Sequence, residues 1–381
     1  MSERSAPRSW RGAALREWPL LFSVVTVGLF LTFGPRWLED LTAPAWYVLM
    51  LVWPFVAILL SAFALVRHAE SLAVKLGEPF GTLVLTLAVT GLEAMMIAAI
   101  MYTGPSESSV ARDTMFAVMM IVLNGLVGLC LLLGGLRYRE QTLNLYGANT
   151  FLAVIIPLAV LVLVLPSFTT TTPGPTSSPL QSVFLIVMSV GLYGTFLALQ
   201  TRWHRDYFIV RAGPEAGDIE EDAEYHGVAE IRSLAYHVVF LIAYILPVLI
   251  LAKQLARPID HGVTALGAPA AISGFVIAAL ILAPESLAAV RAALSNHLQR
   301  AVNLSLGSVL ASISLTIPAV LTIGFITGKT IVLGLDPVGI ILLGLSLTVS
   351  IVTFALERTN ALIGAVHLLM FLAYLMLLFE R

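Results

Sequence analysis

PFGTLVLTLAVTGLEAMMIAAIMYT, Pro79–Thr103, is an apolar run long enough to cross a bilayer, and it carries one carboxylate, Glu93, close to its middle. An acidic residue at the centre of a spanning helix costs roughly 3 kcal/mol even on lenient insertion scales. A charge kept at that depth marks a functional site before anything else is known of the chain. A second stretch repeats the pattern: Ala268–Val290 is apolar and carries Glu285 directly after Pro284. The two carboxylates together read as one cation site in the middle of a membrane transporter.

The remaining residues agree with a membrane solvent. Of 381 residues, 59% are hydrophobic and only 12% charged, against about 25% charged in a soluble domain. The apolar residues come in blocks near the length of about 20 that spans a hydrocarbon core. A formal net charge of −2, with no basic stripe, gives no footing for nucleic acid. Cys130 is the one cysteine, so neither a disulfide framework nor a cysteine metal cluster is available, and it reads as a packing residue. The Arg-rich start, Met1–Trp18, followed by Leu20–Phe33, has the outline of a signal peptide. No small-x-small cleavage site follows, so a retained first helix is expected.

Apolar spans are predicted at about 19–34, 46–66, 80–103, 114–136, 148–166, 180–200, 235–256, 268–290, 304–327, 337–356 and 361–379. Lys and Arg set the orientation. With the N-terminus inside, fifteen of the 21 basic residues fall in inside segments and six outside. That places the N-terminus in the cytoplasm and the C-terminus outside, in a bacterial-type inner membrane. The uncharged outside loop Ser167–Ser178, SFTTTTPGPTSS, reads as a flexible linker. The long polar segment Thr201–Ser233 holds seven acidic residues between Glu215 and Glu230 and reads as a solvated acidic connector or a regulatory, cation-collecting one. It is not an EF-hand, because Ala223 and Ala229 stand where that loop needs Gly and Glu.

That connector divides the chain into a tail and extra helix (1–45), five spans (46–200), the acidic cytoplasmic loop (201–233) and five further spans (234–381). Five is odd, so the two sets cross the membrane in opposite senses. Glu93 lies in the second span of the first set and Glu285 in the second span of the second. The expected fold is an all-α polytopic membrane protein: about eleven transmembrane helices, two inverted five-helix repeats and one N-terminal helix, with the site at the repeat interface.

The candidate ligands are all oxygen. Thr82, Thr86 and Thr90 are spaced to share the helix face of Glu93, and Gly91 is expected to admit another backbone closely. Pro284 removes a backbone donor just before Glu285 and frees a carbonyl one turn earlier. Ser305, Ser308, Ser312 and Thr316 form a second hydroxyl stripe, and Asn124 lies beside Gly125 and Gly128. Such hydroxyls also serve as plain helix–helix contacts, the role equally expected of His367. Oxygen sets favour hard cations such as Ca²⁺, whereas soft metals call for Cys, Met or clustered His. A carboxylate stripped of water favours its protonated form. One site holding either protons or a divalent cation between Glu93 and Glu285 couples their movements in opposite directions, which is the minimal logic of an antiporter. The lipid bilayer and the transported cations are the expected partners, with no cofactor and no enzyme chemistry.

Four stretches, GEPFGTLVLTLAVTGLE (77–93), LLLGGLRYREQTLNLYG (131–147), LILAPESLAAVRAALSNHLQRAVNLSLGSVLASISLTIP (280–318) and RTNALIGAVHLLMFLAYLM (358–376), resemble the bacterial calcium/proton antiporters of the calcium/cation antiporter superfamily. The likeness is greatest to the enterobacterial type, which also exchanges sodium and potassium for protons. The resemblance implies ten core helices in two inverted repeats plus one N-terminal helix. It implies Glu93 and Glu285 as the signature cation- and proton-binding glutamates, with Asn124, Ser308 and Ser312 lining the pathway. It leaves Ca²⁺ export and Na⁺(K⁺)/H⁺ exchange both open. The chain departs from the superfamily's Gly-Asn-x-x-Glu in both places, with Val-Thr-Gly-Leu-Glu at 89–93 and Ile-Leu-Ala-Pro-Glu at 281–285.

Overall fold

The computed structural model describes residues 16–77, 80–103, 107–208 and 232–380. Within them eleven helices are long and apolar enough to cross a membrane. In chain order they are α1 (Trp18–Trp37), α2 (Pro44–Leu76), α3 (Phe80–Thr103), α4 (Val110–Tyr138), α5 (Leu145–Ser167), α6 (Pro179–Trp203), α7 (Leu234–Ala265), α8 (Ala271–Leu294), α9 (Leu298–Thr327), α10 (Pro337–Phe354) and α11 (Ala361–Phe379). The all-α polytopic fold expected from composition is the fold of the chain. The acidic stretch 209–231 lies outside the described residues.

Local chemistry sets the helix ends. Ser178 and Gln181 form a capping box with Pro179 in the first turn of α6. Asp336 accepts from the Gly339 N–H ahead of Pro337, and Asn360 accepts from the N–H groups of Leu362 and Ile363. Large apolar side chains such as Leu180, Val187, Leu362 and Leu369 face outward. That is unfavourable in water and ordinary in lipid, where helices pack through small and polar residues instead.

Four helices are longer or shorter than their hydropathy predicts. α2 runs to Leu76 rather than residue 66, α7 to Ala265 rather than 256, α9 starts at Leu298 rather than 304, and α8 starts at Ala271 rather than 268. Hydropathy detects apolar side chains, whereas α2 continues through its polar end because Leu65, Ala69 and Leu72 stay buried at helical spacing. The loop after α5 is not a flexible linker. Thr176 bridges Val332, the Leu333 and Gly334 N–H groups donate to Pro175 O, and Ser167 Oγ donates to Leu335 O. Its Pro, Gly and Thr residues are turn formers that shape a pinned loop.

α3 packs on α9, α4 on α8, and α8 on α9, so these four make the centre. The pairings correspond across the two halves of the chain, since α3 and α4 stand in the first as α8 and α9 stand in the second. Two short pairings follow the same scheme. β2 (Glu140–Thr142), after α4, pairs antiparallel with β4 (Arg358–Asn360), between α10 and α11. Val332, after α9, bridges Thr176, between α5 and α6, in the same sense. A parallel pair joins β1 (Glu107–Ser108) to β3 (Thr330–Ile331). α1 stands outside this scheme, against α2 and α7. Ser23 and Ser61 share a 2.7 Å hydrogen bond, Trp53 Nε1 donates to Thr26 Oγ1 at 3.1 Å, and Trp46 Nε1 donates to Trp37 O at 2.9 Å.

Candidate functional site

α3 and α8 each bring one glutamate against α9, and α9 meets them with successive turns of its hydroxyl stripe. Ser308 Oγ donates to Glu285 Oε2, and Ser312 Oγ donates to Glu93 Oε1. Residues four apart lie on one helix face, about 5.4 Å apart along the axis. The stripe therefore holds both carboxylates side by side, near enough for Glu285 to act electrostatically on Glu93. Glu93 is only 3% exposed, while Glu285 is partly exposed. Glu285 lies nearer than Glu93 to the end of the bundle where α9 begins.

Two carboxylates this close in an apolar bundle repel and are poorly solvated. Protons neutralise them, or a cation bridges them. Among the described residues no group of three or more His, Cys, Asp or Glu gathers to hold a metal ion, so a cation here would rely on the two carboxylates plus hydroxyl and carbonyl oxygens. Hard, oxygen-seeking cations suit that set.

The other expected pathway residues sit as follows. Thr90 is buried on α3, three residues before Glu93. Thr86 hydrogen-bonds Tyr193 of α6, so that hydroxyl ties two helices together. The side chain of Thr82 lies outside the described residues. Gly91 admits no neighbouring backbone, since nothing lies within 4 Å of where its Cβ would stand. Asn124 is fully buried in a π-helical stretch of α4, Met120–Leu126, a wider turn of the kind that recurs at functional sites. Its Nδ2 donates to Ser346 Oγ of α10 at 2.8 Å, and its Oδ1 has no partner among the described residues. The same holds for Thr316 Oγ1, one turn beyond Ser312 on α9. His367 and Thr353 Oγ1 lie 2.8 Å apart, a helix–helix contact between α11 and α10.

One acidic group near the site went unnoticed in the sequence. Glu70 is half-buried in the last turns of α2 and acts electrostatically on Glu285, while Arg300 at the start of α9 acts on Glu70. Asp260, in the last turns of α7, holds the corresponding place in the second half, with Ser273 Oγ 3.5 Å away. Both lie beyond the ends that hydropathy predicts for their helices, residues 66 and 256. The 3.6-residue spacing of Leu65, Ala69 and Leu72 was the signal that the helix continues.

Residues 46–202 and 236–380 match the family described as sodium/calcium exchanger protein. The chain belongs to that family. Its two matched segments exclude α1 and the acidic stretch, leaving the helices that carry the corresponding pairings. Over 365 residues, 96% of each chain, this exchanger-family member is 39% identical to the sodium-potassium/proton antiporter ChaA of Escherichia coli K12. It is 24% identical over 312 residues to the Ca²⁺/H⁺ antiporter of Aphanothece halophytica, covering 78% of this chain and 81% of the other. The fold is shared with the solved structure of native YfkE (TM-score 0.71, 16% identity, 95% of this chain and 100% of that one). It is also shared with the H⁺/Ca²⁺ exchanger CAX (TM-score 0.66, 14% identity, 95% and 88%).

Proposed function

We propose that this protein is a cation/proton antiporter that exports Ca²⁺ from the cytoplasm in exchange for H⁺, with Glu93 and Glu285 as the shared cation and proton site. The supporting observation is the grip of adjacent turns of α9 on both glutamates. Each glutamate comes from the second helix of its five-helix set, and the corresponding pairings support two inverted repeats, 46–200 and 234–381. Residues 1–45 supply the tail and extra helix, and 201–233 the acidic cytoplasmic connector. In this scheme the N-terminus is cytoplasmic, the C-terminus is outside and the membrane is the inner one. The exposed flank of Glu285 then faces the cytoplasm, ready to take a cation there. Two titrating carboxylates permit two protons to exchange for one divalent cation without net charge movement.

Na⁺(K⁺)/H⁺ antiport at the same site is the second reading, favoured by the 39% identity to an antiporter named for sodium and potassium. Pro284 and the absence of a Gly-Asn pair before either glutamate alter the amide and carbonyl oxygens that would complete a cation's shell. The deciding measurement is dissipation of an imposed pH gradient in proteoliposomes by CaCl₂, NaCl and KCl in turn. Ca²⁺ export predicts the response at the lowest concentration with CaCl₂; a response to Na⁺ or K⁺ and none to Ca²⁺ reverses the ranking.

The serines are expected to tune affinity. Ser312→Ala removes a charge-assisted hydrogen bond of about 1.5–3 kcal/mol from a buried carboxylate. The half-saturating cation concentration should rise about tenfold, the equivalent of about 1.4 kcal/mol. Ser308→Ala should have the smaller effect, because Glu285 is partly exposed and water can replace the lost donor. Concentration series of the same proteoliposome assay check the order.

A further inference from the structure

A second buried polar cluster lies away from the cation site, at the end of the bundle where α1 and α7 begin and α2 finishes. Its anchor is Glu17, 7% exposed just ahead of α1. The Glu17 carboxylate accepts from Tyr244 Oη at 2.7 Å, Tyr236 Oη at 2.8 Å, and Arg67 Nη2 at 2.9 and 3.1 Å, with His68 Nε2 at 3.3 Å. Burial alone would disfavour its charge. The hydrogen bonds from His68, Tyr244 and Tyr236 and the Arg67 guanidinium outweigh that and hold its pKa down at about 2. Glu17 is therefore a fixed negative charge at any working pH.

Behind it stand two buried rings, His68 and His237, 1% and 3% exposed, with Nδ1 facing Nδ1 at 3.0 Å. His237 Nε2 accepts from the backbone N–H of Arg232 at 3.1 Å. Lys75 Nζ donates to the Arg232 carbonyl at 2.7 Å, and the Arg232 guanidinium lies over the Tyr236 ring. The charged and titratable groups facing the ring pair are thus Glu17, Arg67 and Lys75, with Tyr236, Tyr244 and Arg232 around them. Phe240 stacks on His68 and closes the apolar side.

These contacts fix every proton of the neutral pair. His237 Nε2 accepts, so its proton is on Nδ1. That proton is donated to His68 Nδ1, so the proton of His68 is on Nε2, where it points at Glu17. The chain runs Arg232 N–H to His237, His237 to His68, and His68 to Glu17, with no lone pair of either ring left over. One further proton has two places to go. On His68 Nδ1 it would confront the N–H of His237 at 3.0 Å. On His237 Nε2 it would confront the N–H of Arg232. Either way a hydrogen bond of the chain is lost.

We propose that His68 and His237 form a proton-operated latch, closed when both rings are neutral, that fastens α1, α2 and the start of α7 together and opens when the pair takes up one proton. The latch bears on transport because α2 and α7 both pack on α3, the helix of Glu93. Opening it slows the exchanger as its cytoplasmic side acidifies, by a route separate from competition between protons and cations at the glutamates.

The test has two arms on the full-length protein. The first does not depend on the antiport reading: amide hydrogen exchange across Arg232–Tyr236 in detergent, corrected for the intrinsic pH dependence, between about pH 8 and about pH 4. The wild type should lose protection there on acidification. The double variant His68→Gln/His237→Gln, which removes both places for the proton, should show no pH response. Unchanged protection in the wild type overturns the latch whatever any variant does. The second arm is the antiport rate at saturating cation over the same range. The wild type should fall about tenfold and the double Gln variant should keep its alkaline rate with a flattened acid limb. Superimposable profiles from folded wild type and variant overturn the regulatory role. Absence of transport from both at all pH values, with the exchange signal intact, overturns the antiport reading and leaves the latch standing.

Discussion

Glu93→Gln is expected to abolish exchange, with at least about a hundredfold loss of pH-driven cation uptake in everted membrane vesicles, the equivalent of about 2.7 kcal/mol. The substitution keeps shape and volume. Ser312 Oγ can still donate to the amide oxygen in place of Glu93 Oε1, so helix packing and yield should stay near wild type. What disappears is the charge that, in the proposed mechanism, attracts a cation and the group that would carry a proton back. Glu285→Gln should do the same, because a divalent ion between two carboxylates loses half its counter-charge when either is neutralised. The double variant should be no worse than either single one, as for groups that act as a unit. Glu93→Asp distinguishes charge from position: it retains the charge but withdraws it by one methylene from Ser312, so partial transport at higher cation concentration is expected. Cation uptake against a pH gradient by either folded Gln variant would place the site elsewhere.

Why these two glutamates could be found in the sequence, and their surroundings only in part, follows from the kind of signal each leaves. A carboxylate inside an apolar run is conspicuous because lipid makes it expensive. The serine stripe was visible because Ser308 and Ser312 obey the helical period, yet the period alone could not tell a ligand from a packing contact. Thr86 obeys a similar period and bonds Tyr193 of α6. Asn124 was visible as a polar residue in a span, but its partner Ser346 lies over 200 residues away, on a helix with no charge to mark it. Glu70 was hidden because hydropathy ended α2 early. The Glu17 cluster was hidden most completely. Its members come from three helices and are ordinary singly: one Glu at a tail, an Arg-His pair at a helix end, and a Tyr-His pair at a helix start. Only the packing of α1 and α7 on α2 turns them into a chain of hydrogen bonds. The eleven-helix fold itself was legible because lipid imposes a length and a composition on every span.

Gly364→Leu is expected to prevent the chain from folding, and even Gly364→Ala to lower the midpoint of thermal unfolding in detergent by several degrees. α4 and α11 approach each other through glycines. A Cβ on Gly364 would stand 2.7 Å from Leu132 Cα and 2.8 Å from Gly128 O, both backbone atoms. A Cβ on Gly128 would stand 2.9 Å from both His367 Cβ and Leu368 N. No side-chain rotation relieves these contacts, so the helices must separate. Ordinary overpacking costs about 1–3 kcal/mol, and parting two helices forfeits the close van der Waals contact that holds membrane helices together. The consequence extends to the site, because α4 carries Asn124 at its π-helical stretch and packs on α8, which carries Glu285. Gly128→Ala should behave like Gly364→Ala, and the two together should cost less than their sum, since separating the pair once relieves both. Gly194→Ala on α6 is the control: nothing lies within 4 Å of its Cβ, and replacing a helical glycine should leave stability unchanged or raise it by about 0.5–1 kcal/mol. Thermal unfolding that ranks Gly364→Ala with Gly194→Ala would refute close glycine packing of α4 on α11, and a drop confined to the α4 and α11 glycines would locate the contact on which the placing of Asn124 and Glu285 depends.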